Sequence, residues 1–247
     1  MIDLHCHILP GVDDGAQTLD EAVAMCKMAA ADGCEAMIAT PHQRRGEWWN
    51  DDVARLREIA GRLQAAVGGG FRVALGGEIH AGPQLLEEVG KLPDAGILPL
   101  AGSRYLLIEF SPFTTATQAA DLMHELGIAG LRPIIAHPEF IPWLARDPEL
   151  LGRLVSLGAT AQVTAMSLTG DFGRRPQQDA LVFLDAGLVH FVASDSHGIR
   201  NRPPGLRRAY ETVAARHSED LARRLTTDNP RAVLEDRPLP AATAGDA

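Results

Sequence analysis

Apolar and polar positions follow two rhythms along the chain. Short runs rich in Ile, Val, Leu and Ala are IDLHCH at 2–7, AMIAT before His42, FRVALGG before Glu78, YLLIEF, PIIAH, TAQVTA and HFVASD. Between them lie stretches whose apolar residues recur three and four positions apart, as on one face of a helix. The first, over 19–32, aligns Leu19, Ala22, Val23, Cys26 and Ala30; Thr18 with Glu21 three residues on reads as a capping box, and Gly33 as the stop. Further helices are predicted over 51–66, in QLLEEVG, around 115–126, and over 148–157, 176–186, 204–215 and 218–225. Seven strands that are apolar on both faces and alternate with helices predict a parallel α/β sheet covered by helices. Right-handed crossovers leave such a sheet open and doubly wound or close it into a barrel. No Gly-x-Gly-x-x-Gly follows any strand, and the Gly68 to Gly70 run lacks the Lys-Ser or Lys-Thr of a phosphate loop. The reading therefore favours one barrel domain over 1–237, with a disordered tail over 238–247, where PLPAATAGDA shows no periodicity.

A parallel barrel gathers its chemistry at the C-terminal ends of its strands. Strand one ends in His5 and His7, strand two in His42, strand three in Glu78 and His80, strand four in Glu109, strand five in His137, and strand seven in Asp195 and His197; strand six ends in nothing ionisable. With 32 acids and nine histidines among 247 residues, chance does not readily load one rim in this way. Simple alternation places Asp3, His5 and His7 on one face of the first strand and Ile2, Leu4 and Cys6 on the other. Imidazoles and carboxylates without thiolates suit Mn²⁺, Zn²⁺ or Fe²⁺, and there are more candidates than one ion needs, so two or three ions sharing carboxylates are expected. Such a cluster lowers the pKa of a bound water and neutralises an anionic ester, the combination that phosphoester hydrolysis uses.

Arg44 and Arg45 follow His42, and Arg200 and Arg202 follow His197; each is either a ligand for phosphate oxygens or an ordinary surface arginine. Asp3, Asp13 and Glu139 read as groups that orient imidazoles. His80 lies where a loop is expected to begin, and His124, His190 and His217 read as surface or structural histidines. Methionines 25, 28, 37, 123 and 166 read as core filling. Trp48, Trp49, Phe140 and Trp143 either wall a substrate ring or pack.

Composition narrows the choice further. The chain is 46% hydrophobic and carries 23 basic against 32 acidic residues, a net charge of −9 with no basic block, so nucleic acid is not an expected partner. Met1 leads directly into the first strand, and no run approaches the roughly 18 apolar residues of a membrane span, so a cytoplasmic location without membrane insertion is expected. Cys6, Cys26 and Cys34 form no C-x-x-C, which fits a reducing compartment. The positions six residues beyond them hold Val12, Asp32 and Thr40, which removes the cysteine and arginine phosphate loop of thiol phosphatases.

Taken together, H-x-H at 5–7, Asp14 before Gly15, ATPH ending at His42, GGEIH with Glu78, IEF with Glu109, AHPE with His137 and ASDSH with Asp195 and His197 resemble the PHP (polymerase and histidinol phosphatase) superfamily. Within it, MIDLHCHILPGVDDG, SRYLLIEF, SDSHGIRNRPP and TTDNPRAVL resemble the CpsB/CapC (YwqE-type) bacterial protein-tyrosine phosphatases, in the same order from Met1 to about Leu234. The resemblance implies a distorted seven-stranded (β/α)7 TIM-like barrel. It also implies a trinuclear, usually manganese-dependent site at His5, His7, Asp14, His42, Glu78, Glu109, His137, Asp195 and His197, with Arg44 and Arg202 contacting phosphate. The implied substrates are autophosphorylated bacterial tyrosine kinases that control capsule and exopolysaccharide export. The chain departs from some members at Phe140, where they carry an arginine, and one fewer guanidinium weakens phosphate binding. Rival readings are a small-molecule phosphatase of the histidinol-phosphate kind, a nuclease, and a non-catalytic regulator that binds a kinase.

Overall fold

A computed structural model describes residues 1–82, 85–91 and 96–240. Among these, the strands are β1 (Ile2–Cys6), β2 (Ala36–Ala39), β3 (His42–Gln43), β4 (Arg72–Leu75), β5 (Glu78–His80), β6 (Tyr105–Glu109), β7 (Arg132–Ala136), β8 (Thr160–Thr164) and β9 (Phe191–Ala193). The helices are α1 (Leu19–Ala31), α2 (Val53–Val67), α3 (Leu85–Val89), α4 (Ala116–Ile128), α5 (Pro142–Ala145), α6 (Pro148–Ser156), α7 (Ala165–Thr169), α8 (Arg174–Asp185), α9 (Arg207–Arg216), α10 (Glu219–Arg223) and α11 (Asn229–Leu234). The helices expected from periodicity form with small shifts of their ends. The short α5, α7 and α11 are additional, each too brief for a helical repeat to show in sequence. No helix among the described residues is long and apolar enough to cross a membrane.

All pairings between strands are parallel, in two sheets ordered β1-β2-β4 and β3-β5-β6-β7-β8-β9. The seven expected strands become nine because two of them break. Pro41, which has no N–H to donate, separates β2 from β3. Gly76 and Gly77 separate β4 from β5, and neither has room for a side chain: a Cβ on Gly76 would stand 2.7 Å from Leu100, and one on Gly77 2.3 Å from the Gln43 amide. That amide pins the surrounding loops, its Nε2 donating to Asn50 O and Gly96 O and its Oε1 accepting from Leu98 N. The first and last strands meet at their ends, where Asp195 N donates to His5 O and His7 N to Ser196 O.

Two apolar layers result. The larger lies between strands and helices; the smaller, with Leu4, Ile38, Tyr105, Leu107, Ile134 and Phe191, is enclosed by the strands, and Leu100 and Val233 pack into it. Each fully buried side chain of this size stabilises the fold by about 1.5–3 kcal/mol. Leu4 corrects the simple alternation of β1. It joins the enclosed layer, and the register against β2 shifts between Asp3 and Cys6, so that Leu4 and His5 both turn inward. Of the expected core methionines, Met25, Met37 and Met123 are buried and Met28 lies exposed on α1. Thr18 caps α1 through Glu21 N, but the Glu21 carboxylate accepts from Gln17 N, so the reciprocal half of the capping box is not made. Leu239 packs on the enclosed layer; the rest of the expected tail, 241–247, lies outside the described residues.

Candidate metal centre

Above the enclosed apolar layer, the strand ends turn their polar side chains to one point. His5, His7, His42, Glu78, Glu109, His137 and Asp195 are all buried, and only Asp14 is substantially exposed. His137 and Asp195 sit just past β7 and β9 with φ of 32° and 51°. Residues other than glycine rarely adopt such angles, and here they bend each side chain back over the strand ends.

Four combinations bring their donor atoms within 4.8 Å of one another: His7, Asp14, His42 and His197; His5, His137 and Asp195; His5, His7 and Glu78; His42, Glu78 and Glu109. Together they contain all nine residues singled out in the sequence. Glu78 is the hub. Its Oε1 lies 2.7 Å from His137 Nε2 and 3.4 Å from His5 Nε2, and its Oε2 lies 2.6 Å from His42 Nδ1 and 3.5 Å from His7 Nε2. Asp195 Oδ1 is 3.4 Å from His5 Nε2 and 3.5 Å from His7 Nε2, and Asp14 Oδ1 bridges His42 Nε2 and His197 Nε2 at 3.3 and 3.4 Å.

The donor set fits divalent cations. Gln162 Oε1 accepts from His5 Nδ1 and Asp13 Oδ2 from His7 Nδ1, both at 2.8 Å. With a proton on each Nδ1, the two Nε2 atoms face each other 3.3 Å apart. Burial disfavours the His7 imidazolium, but Asp13, Asp195 and Glu78 outweigh it and hold the His7 pKa well above the usual imidazole range, so this gap draws positive charge. A proton or a divalent cation held there relieves the contact between the two nitrogens. Ligand atoms about 2.1 Å from one ion, at tetrahedral or octahedral angles, stand about 3.0–3.4 Å apart, which matches the spacings found here. Glu78 Oε2 is buried without a well-directed hydrogen bond, and His137 Nδ1 is buried without a partner.

Electrostatics agree. Burial works against the Glu78 carboxylate, yet His5, His137 and His42 override it and hold its pKa well below the usual carboxylate range. Asp14 is also lowered, burial being outweighed by His197 and His42. Burial disfavours the His137 imidazolium, but Glu78 brings its pKa up to about 9.

The flanking residues divide in a way the sequence did not reveal. Arg45 and Trp48 bond to each other through both backbone groups across a tight turn, and Arg44 N donates to Trp49 O. Arg44, with φ of 64°, breaks the extended backbone after β3, and Arg45 and Trp48 turn to the cluster while Arg44 and Trp49 turn to the adjoining groove. Arg45 Nη1 lies 2.8 Å from His42 Nε2 and 3.3 Å from Glu109 Oε1, and the Trp48 ring stacks on His42. Arg44 pairs with Glu88 at 3.3 Å and lies over the Trp49 ring at 4.8 Å. Arg202 bonds Asp195 Oδ2. Arg200, at the rim, lines a surface cavity beside Asp14 and His197.

Of the expected orienting acids, Asp13 holds His7 and also accepts from Gly15 N and His42 N. Asp3 instead takes the N–H and hydroxyl of Ser194, its pKa raised by burial to about 6. Glu139 takes Thr164 N. His80 Nδ1 is 3.3 Å from Glu109 Oε2. Phe140 lies beside His137, with its ring edge-on to Phe172, whereas Trp143 packs edge-on against Phe110. Gln162, on the strand with no ionisable end, was missed; its signal is a single amide on the inward side of TAQVT. Gln162→Leu is expected to weaken divalent-ion affinity about 10- to 100-fold, measured by Mn²⁺ titration calorimetry. An affinity within twofold of wild type would contradict the orienting role.

Comparisons with known proteins agree with this geometry. The profile of the family described as "Capsular polysaccharide synthesis, CpsB/CapC" matches residues 1–235. The chain is 37% identical over 206 residues to the tyrosine-protein phosphatase YwqE of Bacillus subtilis, covering 82% of this chain and 79% of that protein. It is 31% identical over 248 residues to the tyrosine-protein phosphatase CpsB of Streptococcus pneumoniae, covering 96% and 99%. A crystal structure from a study of YwqE and CpsB, titled as unique metal-dependent tyrosine phosphatases, superposes with a TM-score of 0.90 at 33% identity over 97% of this chain and 96% of that one. A dihydropyrimidinase from Brevibacillus agri, at 14% identity and a TM-score of 0.57 over 100% of this chain and 73% of that one, shares the fold alone. The order of the motifs, the match across nearly the whole chain and the convergent strand ends lead to one assignment: this protein is a member of the CpsB/CapC family.

Proposed function

We propose that the protein is a metal-dependent phosphoester hydrolase acting on protein phosphotyrosine, with an autophosphorylated bacterial tyrosine kinase of capsule or exopolysaccharide synthesis as its substrate in the cytoplasm. The observation that carries this reading is the convergence of nine histidine and carboxylate donors at the strand ends, and the similarity to tyrosine-protein phosphatases over nearly the whole chain supports phosphotyrosine as the substrate. On this reading the two sheets act as one distorted seven-stranded barrel. Its mouth holds two or three divalent ions, Mn²⁺ first and Zn²⁺ or Fe²⁺ as alternatives, on His5, His7, Asp14, His42, Glu78, Glu109, His137, Asp195 and His197.

Bound divalent ions would supply an acidified water and positive charge for the phosphate. The protein does the rest. Gln162 and Asp13 fix the two imidazole tautomers, and Glu78 and Asp195 set the spacing between sites. Arg202 and Arg45, beside Asp195 and Glu109, are placed to turn from these carboxylates to the non-bridging oxygens of an incoming phosphate. Arg44, which the family resemblance pairs with Arg202, faces the adjoining groove and supports the hairpin that carries Arg45. A tyrosine phenolate, with a pKa near 10, leaves without strong protonation, so no general acid needs to be positioned.

Steady-state hydrolysis tests the reading. With Mn²⁺, a phosphotyrosine peptide is expected to be cleaved with kcat/KM at least about tenfold above histidinol phosphate or a phosphoserine peptide, the phenolate being the better leaving group. A preference for histidinol phosphate or for single-stranded DNA would overturn it.

A further inference from the structure

Beside the metal centre lies a groove of about 710 Å³ whose lining includes Arg44, Trp49, His80, Phe110, Phe113 and Asp121. The groove joins the cluster at His80, through the contact of its Nδ1 with Glu109. Five described segments line it, among them the end of β5 with His80 and α4 with Asp121 and Leu122. The hairpin after β3 turns Trp49 and Arg44 into it, the loop after β6 contributes Phe113, and Leu85 and Glu88 come from α3. Phe110, Leu85 and Leu122 form its buried apolar base. Trp49 is 47% exposed and Phe113 is 90% exposed. Large aromatic rings left open next to a reaction centre are the composition of a binding hot spot.

The volume falls within the roughly 300–1,000 Å³ of pockets that take drug-sized ligands. A single tyrosyl side chain does not fill it while its phosphate lies over the cluster. Charge narrows the occupant further. Among the described lining residues Glu88 and Asp121 stand against one guanidinium, that of Arg44, which pairs with Glu88, so these residues favour an apolar over an acidic occupant.

Resting on the phosphotyrosine reading, we propose that this groove receives the chain flanking the phosphotyrosine, with an apolar neighbouring side chain covering Trp49 and Phe113. The two rings then set which phosphotyrosines are chosen, while the chemistry stays at the strand ends. They act as specificity-determining residues. Their effect belongs to substrates long enough to reach them.

The test compares two substrates on the manganese-loaded full chain: a pentapeptide with phosphotyrosine between leucines, and p-nitrophenyl phosphate. The ratio of their kcat/KM values is expected to fall about tenfold in Trp49→Ala and in Phe113→Ala, chiefly through the peptide's KM, and to recover in Trp49→Phe. Exchanging the leucines for glutamates should lower the wild-type ratio by a similar factor and have little effect in the double alanine variant. A ratio that stays within twofold of wild type in both single variants would overturn the groove's role, as would a preference for the glutamate peptide. Failure of the parent reading shows differently: the wild type would then leave the phosphotyrosine peptide uncleaved, whether or not it hydrolyses p-nitrophenyl phosphate.

Discussion

Glu78→Gln is expected to lower manganese-supported hydrolysis of p-nitrophenyl phosphate by about a thousandfold or more. Glu78 is fully buried and presents its two oxygens to four imidazoles, those of His5, His7, His42 and His137. No other carboxylate in the cluster reaches as many. Glutamine keeps the shape but removes the charge, and its amide N–H₂ would face ring nitrogens whose lone pairs are needed for ions. A loss of about 4 kcal/mol of transition-state stabilisation corresponds to that factor. The folded state should survive, because the strand around residue 78 is held by backbone bonds such as Glu78 N to Pro41 O. Near-ultraviolet circular dichroism alongside the assay separates loss of site from loss of fold. A variant that folds and retains a tenth of the wild-type rate would contradict the hub role.

Removing the ions should also cost stability, the second large effect. Without cations the buried carboxylates of Glu78 and Asp195 are balanced only by protons drawn onto His7, His42 and His137, a weaker substitute for divalent charge. An ion present at a hundred times its Kd stabilises the native state by about 2.7 kcal/mol. For a chain of this size, each kcal/mol moves Tm by about 2–4 °C. Dialysis against a chelator is therefore expected to lower Tm by about 5–10 °C for each tightly held ion, and added Mn²⁺ should restore it. Differential scanning calorimetry reads this directly. A Tm that does not respond to chelator or to Mn²⁺ would mean that the cluster is satisfied by its own hydrogen bonds.

The cluster was legible because parallel strands joined by helices turn a three-dimensional question into a one-dimensional one. Each strand end is a fixed address, and His5, His42, Glu78, Glu109, His137 and Asp195 each stand at one. Gln162 was not legible because it carries no ionisable group, whereas orienting an imidazole needs only a carbonyl oxygen. The choice between Arg44 and Arg45 was not legible either. It depends on the left-handed turn at Arg44 and the Arg45 and Trp48 pairing that closes the hairpin, neither of which residue types alone encode. The breaks at Pro41 and at Gly76 and Gly77 show the same limit. Their residue types signal a stop, but only contact with Leu100 and Gln43 shows why the stop falls there. Leu4 turned inward through a register shift that alternation does not encode.

Whether the cluster is a metal centre is decided by elemental analysis of the purified protein. Two or three divalent ions per chain are expected, with at least one lost in His42→Ala together with phosphotyrosine hydrolysis. A wild-type protein that turns over substrate at full rate while carrying no metal, or a His42→Ala variant that keeps both its ions and its activity, would contradict this expectation.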